Sequence, residues 1–486
     1  MPEKATTPIT ARVLIIGAGP SGIAAAASLV EAGFQNVSIT EAENRIGGRI
    51  HTISFGDNVV DMGAQWCHGE KNNAVYETLK TTDNIDLLEH SPDNRKFVKL
   101  LRSNREVVND EVADVLKTIM FESVPSKDDN LKSYKGSAGA HYVETFWSEY
   151  DKLSKEIDLT VAKEFFEHWK KNLLLVDSAD NLFELAASSK ADYWDCEGDN
   201  LLNWKDKGFR SILNVLMKTD DYNENLGLLK DKVKLNRKVT KIEWTHKDKI
   251  KITLFNGKII MVDHVICTIP LGVLKANYEY MFKPALPLSK VRAIEGLKLG
   301  TVSKFFFEFE NAFQLDDWHG FVCLWLEEDL KKLRETKFFW LEGVIGFFKV
   351  PHQPRLLQGW LAGTHVRYAE TLSEEEVLKA LMWLIRKFIS FPIPDPIDFK
   401  RTQWYSNKNF RGTYSYRTLY ADELLTGAWD LAEPLIDSQG RPLVQFAGEA
   451  THNHYFGTVH GAMETGWREA KRLIDYYQKQ SENKHA

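Results

Sequence analysis

The segment VLIIGAGPSGIAAAASLV, residues 13–30, constrains the chain more than any other stretch of it. Residues 13–16 are branched and apolar, as suits a strand buried on both faces. Gly17-Ala18-Gly19-Pro20-Ser21-Gly22 follows, and an Ala-rich helix is predicted over residues 20–31. A second strand is predicted over residues 37–40, ending at Glu41. The whole is a β-α-β unit of about 30 residues. Gly17 permits the tight turn, Gly19 lets a diphosphate approach the backbone, and Gly22 lets helix and strand pack closely. The helix start offers unfilled N–H groups and a positive dipole end to phosphates. Glu41 lies about 20 residues beyond Gly22, where a carboxylate meets a ribose hydroxyl. The unit predicts dinucleotide binding in an α/β domain.

The rest of the chain alternates between two textures. Residues 84–190 are rich in charge and in helical spacing, as in EVADVLKTIM and VAKEFFEHWKKNLLLV, and predict several helices of another domain. Strand patterns return at VKLNRKVTKIEW, KIKITLFNG, KIIMVDHVICTIP and LGTVSKFFFEFE. LSEEEVLKALMWLIRKFI reads as a helix opened by Ser373 and Glu376 at capping-box spacing. A strand in PLVQFAGEA and a helix in GAMETGWREAKRLIDYY close the chain. There is no internal repeat. The pattern predicts a sheet domain assembled from separated segments, residues 8–83, 205–285 and 435–486. A second, α+β domain of mixed sheet and helices interrupts it, residues 84–204 and 286–434.

Composition narrows the function classes. Aromatic residues make up 12% of the chain, enough to build a large core or to line a cavity. The formal net charge of −6 argues against a nucleic-acid partner and is compatible with a cationic ligand. The four cysteines, Cys67, Cys196, Cys267 and Cys323, are far apart, so neither a disulfide framework nor a metal site is expected. The start MPEKATTPITA has no apolar leader core, and the polar end carries no S-K-L signal. No stretch approaches the roughly 20 apolar residues of a membrane span. A soluble, cytoplasmic protein with no membrane partner is the expectation.

The continuation EAENRIGGRI, residues 41–50, adds Arg45, Gly47, Gly48 and Arg49. The two arginines can place fixed positive charge near a diphosphate. Glu41 through Arg49 resembles the second fingerprint of the flavin amine oxidases, E-A-x-x-R-x-G-G-R. Four further segments resemble that family in order along the chain: DMGAQWCHGE (61–70), VICTIPLGVLK (265–275), WYSNKNFRGTYSY (404–416) and FAGEATHNHYFGTVHGAMETGWREA (446–470). Within the family the chain is most similar to the polyamine oxidase branch, which holds spermine oxidases and N1-acetylpolyamine oxidases.

The resemblance implies a Rossmann-like FAD-binding domain and a substrate-binding domain. Gly17, Gly19, Ser21 and Gly22 would lie at the diphosphate, Glu41 at the adenosine ribose, Arg49 at the diphosphate, and Val239 at the adenine through its backbone. Gly63, Ala64, Gln65 and Trp66 would lie in front of the flavin, Trp404 beside it, and Glu449 near the diphosphate and ribityl chain. Val459 would offer its N–H to the pyrimidine end of the ring, where a helix start stabilises negative charge. Alternation alone puts Lys304 on a strand face with Val302, Phe306, Glu308 and Glu310, as a solvated lysine would be. The resemblance makes Lys304 a catalytic residue that holds a water beside the flavin. It makes His68 a catalytic and substrate-contacting residue, and Asp192, followed by Tyr193, the acid for a distal amine. Tyr414 would bound the substrate channel, and Thr458 would touch substrate and cofactor.

The implied activity is oxidation of spermine, or of N1-acetylated spermine or spermidine, at a carbon next to a secondary amine. Oxygen is the acceptor, and the products are an aldehyde, a shorter amine and hydrogen peroxide. A monoamine or L-amino-acid oxidase and a non-catalytic flavoprotein stay open as alternatives. The chain departs from the monoamine oxidases, which attach FAD through a Cys in G-G-C-Y, so noncovalent FAD is expected. It also departs from the histone demethylase relatives, since too few residues precede the first strand to form their N-terminal helical domain. A monomer or weak dimer is expected.

Overall fold

The opening unit folds as strand Ile9–Ile16, helix Pro20–Glu31 and strand Phe34–Thr40. The computed structural model describes residues 9–90, 98–120, 129–153, 157–220, 226–244, 249–312 and 318–485. Residues 1–8, which carry most of the reading of the N-terminus, lie outside the described residues. Both strands run longer than their apolar cores suggest. The added ends pair across the ladder, Arg12 opposite Asn36 and Ile9 opposite Phe34.

The first strand lies inside a six-stranded sheet. Its order is Leu435–Ile436, Pro442–Phe446, His264–Cys267, Ile9–Ile16, Phe34–Thr40 and Val233–Lys234. All neighbours are parallel except the first pair. One face packs Val13, Ile15 and Ile39 against the Ala-rich helix. The other packs Leu14, Ile16 and Val265 against a smaller four-stranded sheet of residues 239–283. The C-terminal helix Val459–His485 runs along Pro20–Glu31 at backbone distance: a Cβ on Gly466 would stand 2.2 Å from the Ser21 carbonyl oxygen.

The second six-stranded sheet orders Asp398–Arg401, Val302–Glu308, Gln353–Ala362, Val344–Val350, Gly320–Leu324 and Val98–Arg102. It is antiparallel except for the last pair. Helix Glu374–Phe388 packs on the face that carries Phe305, Phe307 and Phe347. Ser373 and Glu376 form the reciprocal capping box there, a device worth about 1 kcal/mol. Helices Ala138–Lys152 and Leu159–Asp177 cover Leu100, Val322 and Leu324.

Two sequence expectations need correction. Val98–Arg102 is a strand inside the segment read as helical, because five residues paired at a sheet edge leave little periodic signal. KIIMVDHVICTIP is not one strand: Ile259–Val262 belongs to the small sheet and His264–Cys267 to the parallel one. Among the described residues no helix is long and apolar enough to cross a membrane, and no cluster of His, Cys, Asp or Glu could hold a metal ion.

Candidate active site

The dinucleotide end of the site is set by glycine. Gly17 has φ +109, donates its N–H to the Thr40 carbonyl at 2.8 Å, and leaves no room for a Cβ, which would lie 2.3 Å from Thr268 Oγ1. Gly22 is tighter still, with a Cβ position 2.0 Å from the Gly17 carbonyl oxygen. Gly19 is different. A Cβ there would meet nothing closer than 3.9 Å, and that open space faces Gly48. Gly448 also opens onto empty space. Ser21 is buried behind this turn, its hydroxyl 3.4 Å from that of Thr465.

Glu41 ends its strand inside the fold, accepting the N–H of Ala18 at 2.7 Å and of Glu43 at 2.8 Å. Burial raises its pKa and those two donors oppose the rise. The Arg237 N–H donates to the Glu41 carbonyl at 2.7 Å, which brings the strand beginning at Val239 alongside. Arg49 donates to the Thr413 carbonyl at 2.6 Å and to Glu449 Oε1 at 2.8 Å. The other Glu449 oxygen accepts the Ser415 hydroxyl at 2.6 Å and the Gly457 N–H at 2.8 Å. Arg49, Thr268, Pro270, Gly448, Glu449 and Thr451 line a cleft at the carboxyl ends of the parallel strands, where open α/β sheets bind ligands. Arg45 corrects the sequence reading: its guanidinium donates to the Ile46, Gly48 and Ile50 carbonyls and braces the loop. A separate surface cleft at residues 275–280, Ile294 and Glu295 shares no residue with this site.

The reacting end forms where residues 61–68 pass under the second sheet. Lys304 is buried there, and its Nζ donates to the Asp61 carbonyl (2.8 Å), the Gly63 carbonyl (2.7 Å) and Gln65 Oε1 (2.7 Å). The solvated-strand expectation fails for a definite reason. Alternation does hold, but the Lys304 face is covered: Phe306 on that face packs on Phe55, Val60 and Met62. Desolvation lowers the Lys304 pKa, and the nearby Asp61 charge opposes it. All three ammonium donors are engaged. Gln65 is the one side chain among these three acceptors. Trp360 sits opposite Lys304 in the ladder, with Nζ 4.7 Å from the ring, and Trp360 stacks on Trp66 at 5.8 Å. Ala64 is half-buried in the same segment, and Trp404 Nε1 donates to the Met62 carbonyl at 3.1 Å.

The remaining predicted residues surround this point. Thr458 caps the helix Val459–His485: its Oγ1 accepts the Gly461 N–H at 3.0 Å and donates to the Tyr455 carbonyl at 2.7 Å. Val459 thus stands in the first helical turn, whose amides have no partner within the helix. Tyr414 packs on Gly457, and its hydroxyl donates to the Leu175 carbonyl. His68 Nδ1 lies 2.6 Å from the Asn200 carbonyl, which can only accept, so Nδ1 carries the proton and Nε2 the lone pair. Desolvation lowers the His68 pKa, and the Asn200 carbonyl opposes the fall. Asp192 is not the free acid that the sequence suggests. It is paired with Arg417 at 2.5 Å, and Arg417 also meets Asp422 at 3.0 Å and the Ser188 hydroxyl at 2.8 Å.

Sequence reasoning missed Trp360, Gln358, Asp61 and His460. The first two were readable only through register, which places Trp360 and Gln358 opposite Lys304 and Phe306. His460 is buried, and its ring nitrogens lie 3.5 Å from Asn73 Nδ2 and 3.9 Å from Cys196 Sγ. Burial, with His68 and His452 nearby, lowers its pKa to about 3 from an unfolded value of 6.5. A histidine depressed in the folded state costs nothing above its unfolded pKa and removes stability as pH falls from there toward the folded value. Between neutral pH and about pH 5 this residue should withdraw about 2 kcal/mol. His460→Gln should lessen the acid sensitivity of thermal unfolding by that amount; an unchanged sensitivity would contradict the assignment.

Comparison with known proteins places the chain. The family described as flavin containing amine oxidoreductase matches residues 20–474. The human peroxisomal N(1)-acetyl-spermine/spermidine oxidase is 30% identical, over 96% of this chain and 95% of that protein. The probable polyamine oxidase 5 of Arabidopsis thaliana is 28% identical, over 96% and 98%. A putrescine oxidase structure with bound putrescine shares the fold, with a TM-score of 0.65 and 18% identity over 96% of this chain and 100% of that one.

Proposed function

The chain belongs to the flavin containing amine oxidoreductases and is an FAD-dependent amine oxidase, and we propose that its substrates are polyamines: spermine, or N1-acetylated spermine or spermidine. Oxidation falls at a carbon next to a secondary amine, oxygen is the acceptor, and the products are an aldehyde, a shorter amine and hydrogen peroxide. The observation that carries this reading is the meeting of buried Lys304 with residues 61–65 beside the stacked Trp66 and Trp360.

The residues present fit FAD. The turn at Gly17–Gly22 and Glu41 suit the adenosine half, the open faces of Gly19 and Gly448 with Arg49 suit the diphosphate, and the first turn at Val459 suits an electron-rich ring edge. Bound FAD supplies the two-electron acceptor. The chain does the rest. Trp66, Trp360 and Tyr414 give apolar walls to the methylenes and π faces to the cations. The lone pair on His68 Nε2 can accept an amine N–H and hold the substrate nitrogen in place. The reacting nitrogen must be neutral, so activity should rise with pH through an amine pKa.

We place FAD in the site without a covalent bond. Attachment of the monoamine oxidase kind needs a thiolate: NFRGTYSY carries no Cys at that place, and burial pushes Cys67, Cys267 and Cys323 up to about 12. Acid precipitation should leave all yellow colour in the filtrate, whereas colour on the precipitated chain would contradict it. For the activity itself, incubation with spermine or N1-acetylspermine under oxygen should yield an aldehyde and a shorter amine in equal amounts. An amino acid or simple monoamine consumed in clear preference would overturn the substrate class.

A further inference from the structure

Helix Leu159–Asp177 ends two residues beyond the carbonyl that holds the Tyr414 hydroxyl, and the short helix Ser188–Asp192 lies against that end. Between them lies an ion pair that no step above uses. Lys190 Nζ stands 2.6 Å from Asp177 Oδ1, with side chains only 15% and 11% exposed. The second carboxylate oxygen, Asp177 Oδ2, is buried and has no hydrogen-bond partner. The pair borders the substrate walls. Tyr414 bonds the Leu175 carbonyl two residues before Asp177, and the Asp177 charge acts on Tyr414. Lys190 acts on Tyr193, whose ring meets Phe456 at 5.2 Å, just before Gly457 and the helix start.

A polyamine carries an ammonium at each free end, and an ammonium leaving water needs an unpaired carboxylate. Here two acids close to Tyr414 and Tyr193 are already matched by the chain, Asp177 by Lys190 and Asp192 by Arg417. A resident cation excludes a second one by like charge, and specificity is often built from such repulsion. A neutral amide at a substrate's far end brings no second positive charge beside Lys190.

We infer that Lys190 is a specificity-determining residue, holding Asp177 in the place of a substrate ammonium so that polyamines with an N-acylated, uncharged far end are preferred to free ones. This rests on the polyamine reading. Its consequence is a charge ladder at one position. Lys190→Met leaves a net negative site, the wild type a neutral one, and Asp177→Asn a positive one.

The test is the ratio of kcat/KM for spermine to that for N1-acetylspermine, measured on FAD-loaded protein. The ratio should rise about tenfold in Lys190→Met and fall about tenfold in Asp177→Asn, with the double variant near the wild type. If Lys190→Met does not fold, the fall in Asp177→Asn and an unchanged ratio in Lys190→Arg carry the same test. Equal ratios in all variants, or a rise in Asp177→Asn, would overturn the inference and leave the polyamine reading standing. If the wild type oxidises neither compound, the polyamine reading fails and the inference falls with it.

Discussion

Lys304→Met should slow both flavin reduction by substrate and reoxidation by oxygen by about a hundredfold or more, a loss of the size seen when a positioned proton-transfer or charge-stabilising group is removed. Substrate dissociation constants should move little. The lysine lies among residues 61–65 rather than on the far wall of the cavity, so its loss changes the reacting end and not the tunnel. Methionine keeps an apolar stem against Trp360. It cannot donate to the Asp61 and Gly63 carbonyls, which costs about 1–3 kcal/mol of stability in each unsatisfied buried acceptor. Stopped-flow absorbance in both half-reactions reads the effect directly. Wild-type traces would make Lys304 a brace between its strand and residues 61–65 and nothing more.

Gly22→Ala should give a colourless protein. The added methyl would stand 2.0 Å from the Gly17 carbonyl oxygen and 3.2 Å from Ile15 Cγ2, so the helix must move off the strand. Overpacking of this kind costs about 1–3 kcal/mol or more and displaces the amides that face the diphosphate. Gly19→Ala separates the two effects. Gly19 has φ −76 and a Cβ there would clear its neighbours by 3.9 Å, so the fold should stand. The methyl would instead fill the space left for the phosphates. Thermal unfolding should fall for Gly22→Ala and hold for Gly19→Ala, while bound FAD falls in both. Full flavin content in Gly19→Ala would mean that the diphosphate lies elsewhere.

What the sequence made legible was local. The glycines, Glu41 and the Ala-rich helix sit within about 30 residues and announce their geometry by spacing alone. Ser373 and Glu376 did the same for their helix. What stayed hidden depends on partners far along the chain. Lys304 reads as a solvated strand residue because the segment that covers it, residues 52–66, lies about 240 residues earlier in the chain. Arg45 is the exception: its partners are the carbonyls of Ile46, Gly48 and Ile50 close by, but residue spacing does not report the loop curvature that turns them toward it. Asp192 reads as a free acid because Arg417 lies 225 residues away, and Asp177 drew no notice because Lys190 lies across a helix break. Charge neutralisation inside a cavity is a tertiary property, and residue type alone does not report it.

The measurement closest to the central claim is anaerobic mixing of the yellow, FAD-loaded protein with three amines: spermine, N1-acetylspermine and benzylamine. Absorbance of the oxidised flavin should bleach with at least one polyamine, at a rate at least about tenfold above that with the aromatic monoamine, since the far end of a polyamine adds binding that a short amine cannot make. A flavin that stays yellow with both polyamines, or that bleaches faster with benzylamine than with either, would contradict a polyamine oxidase.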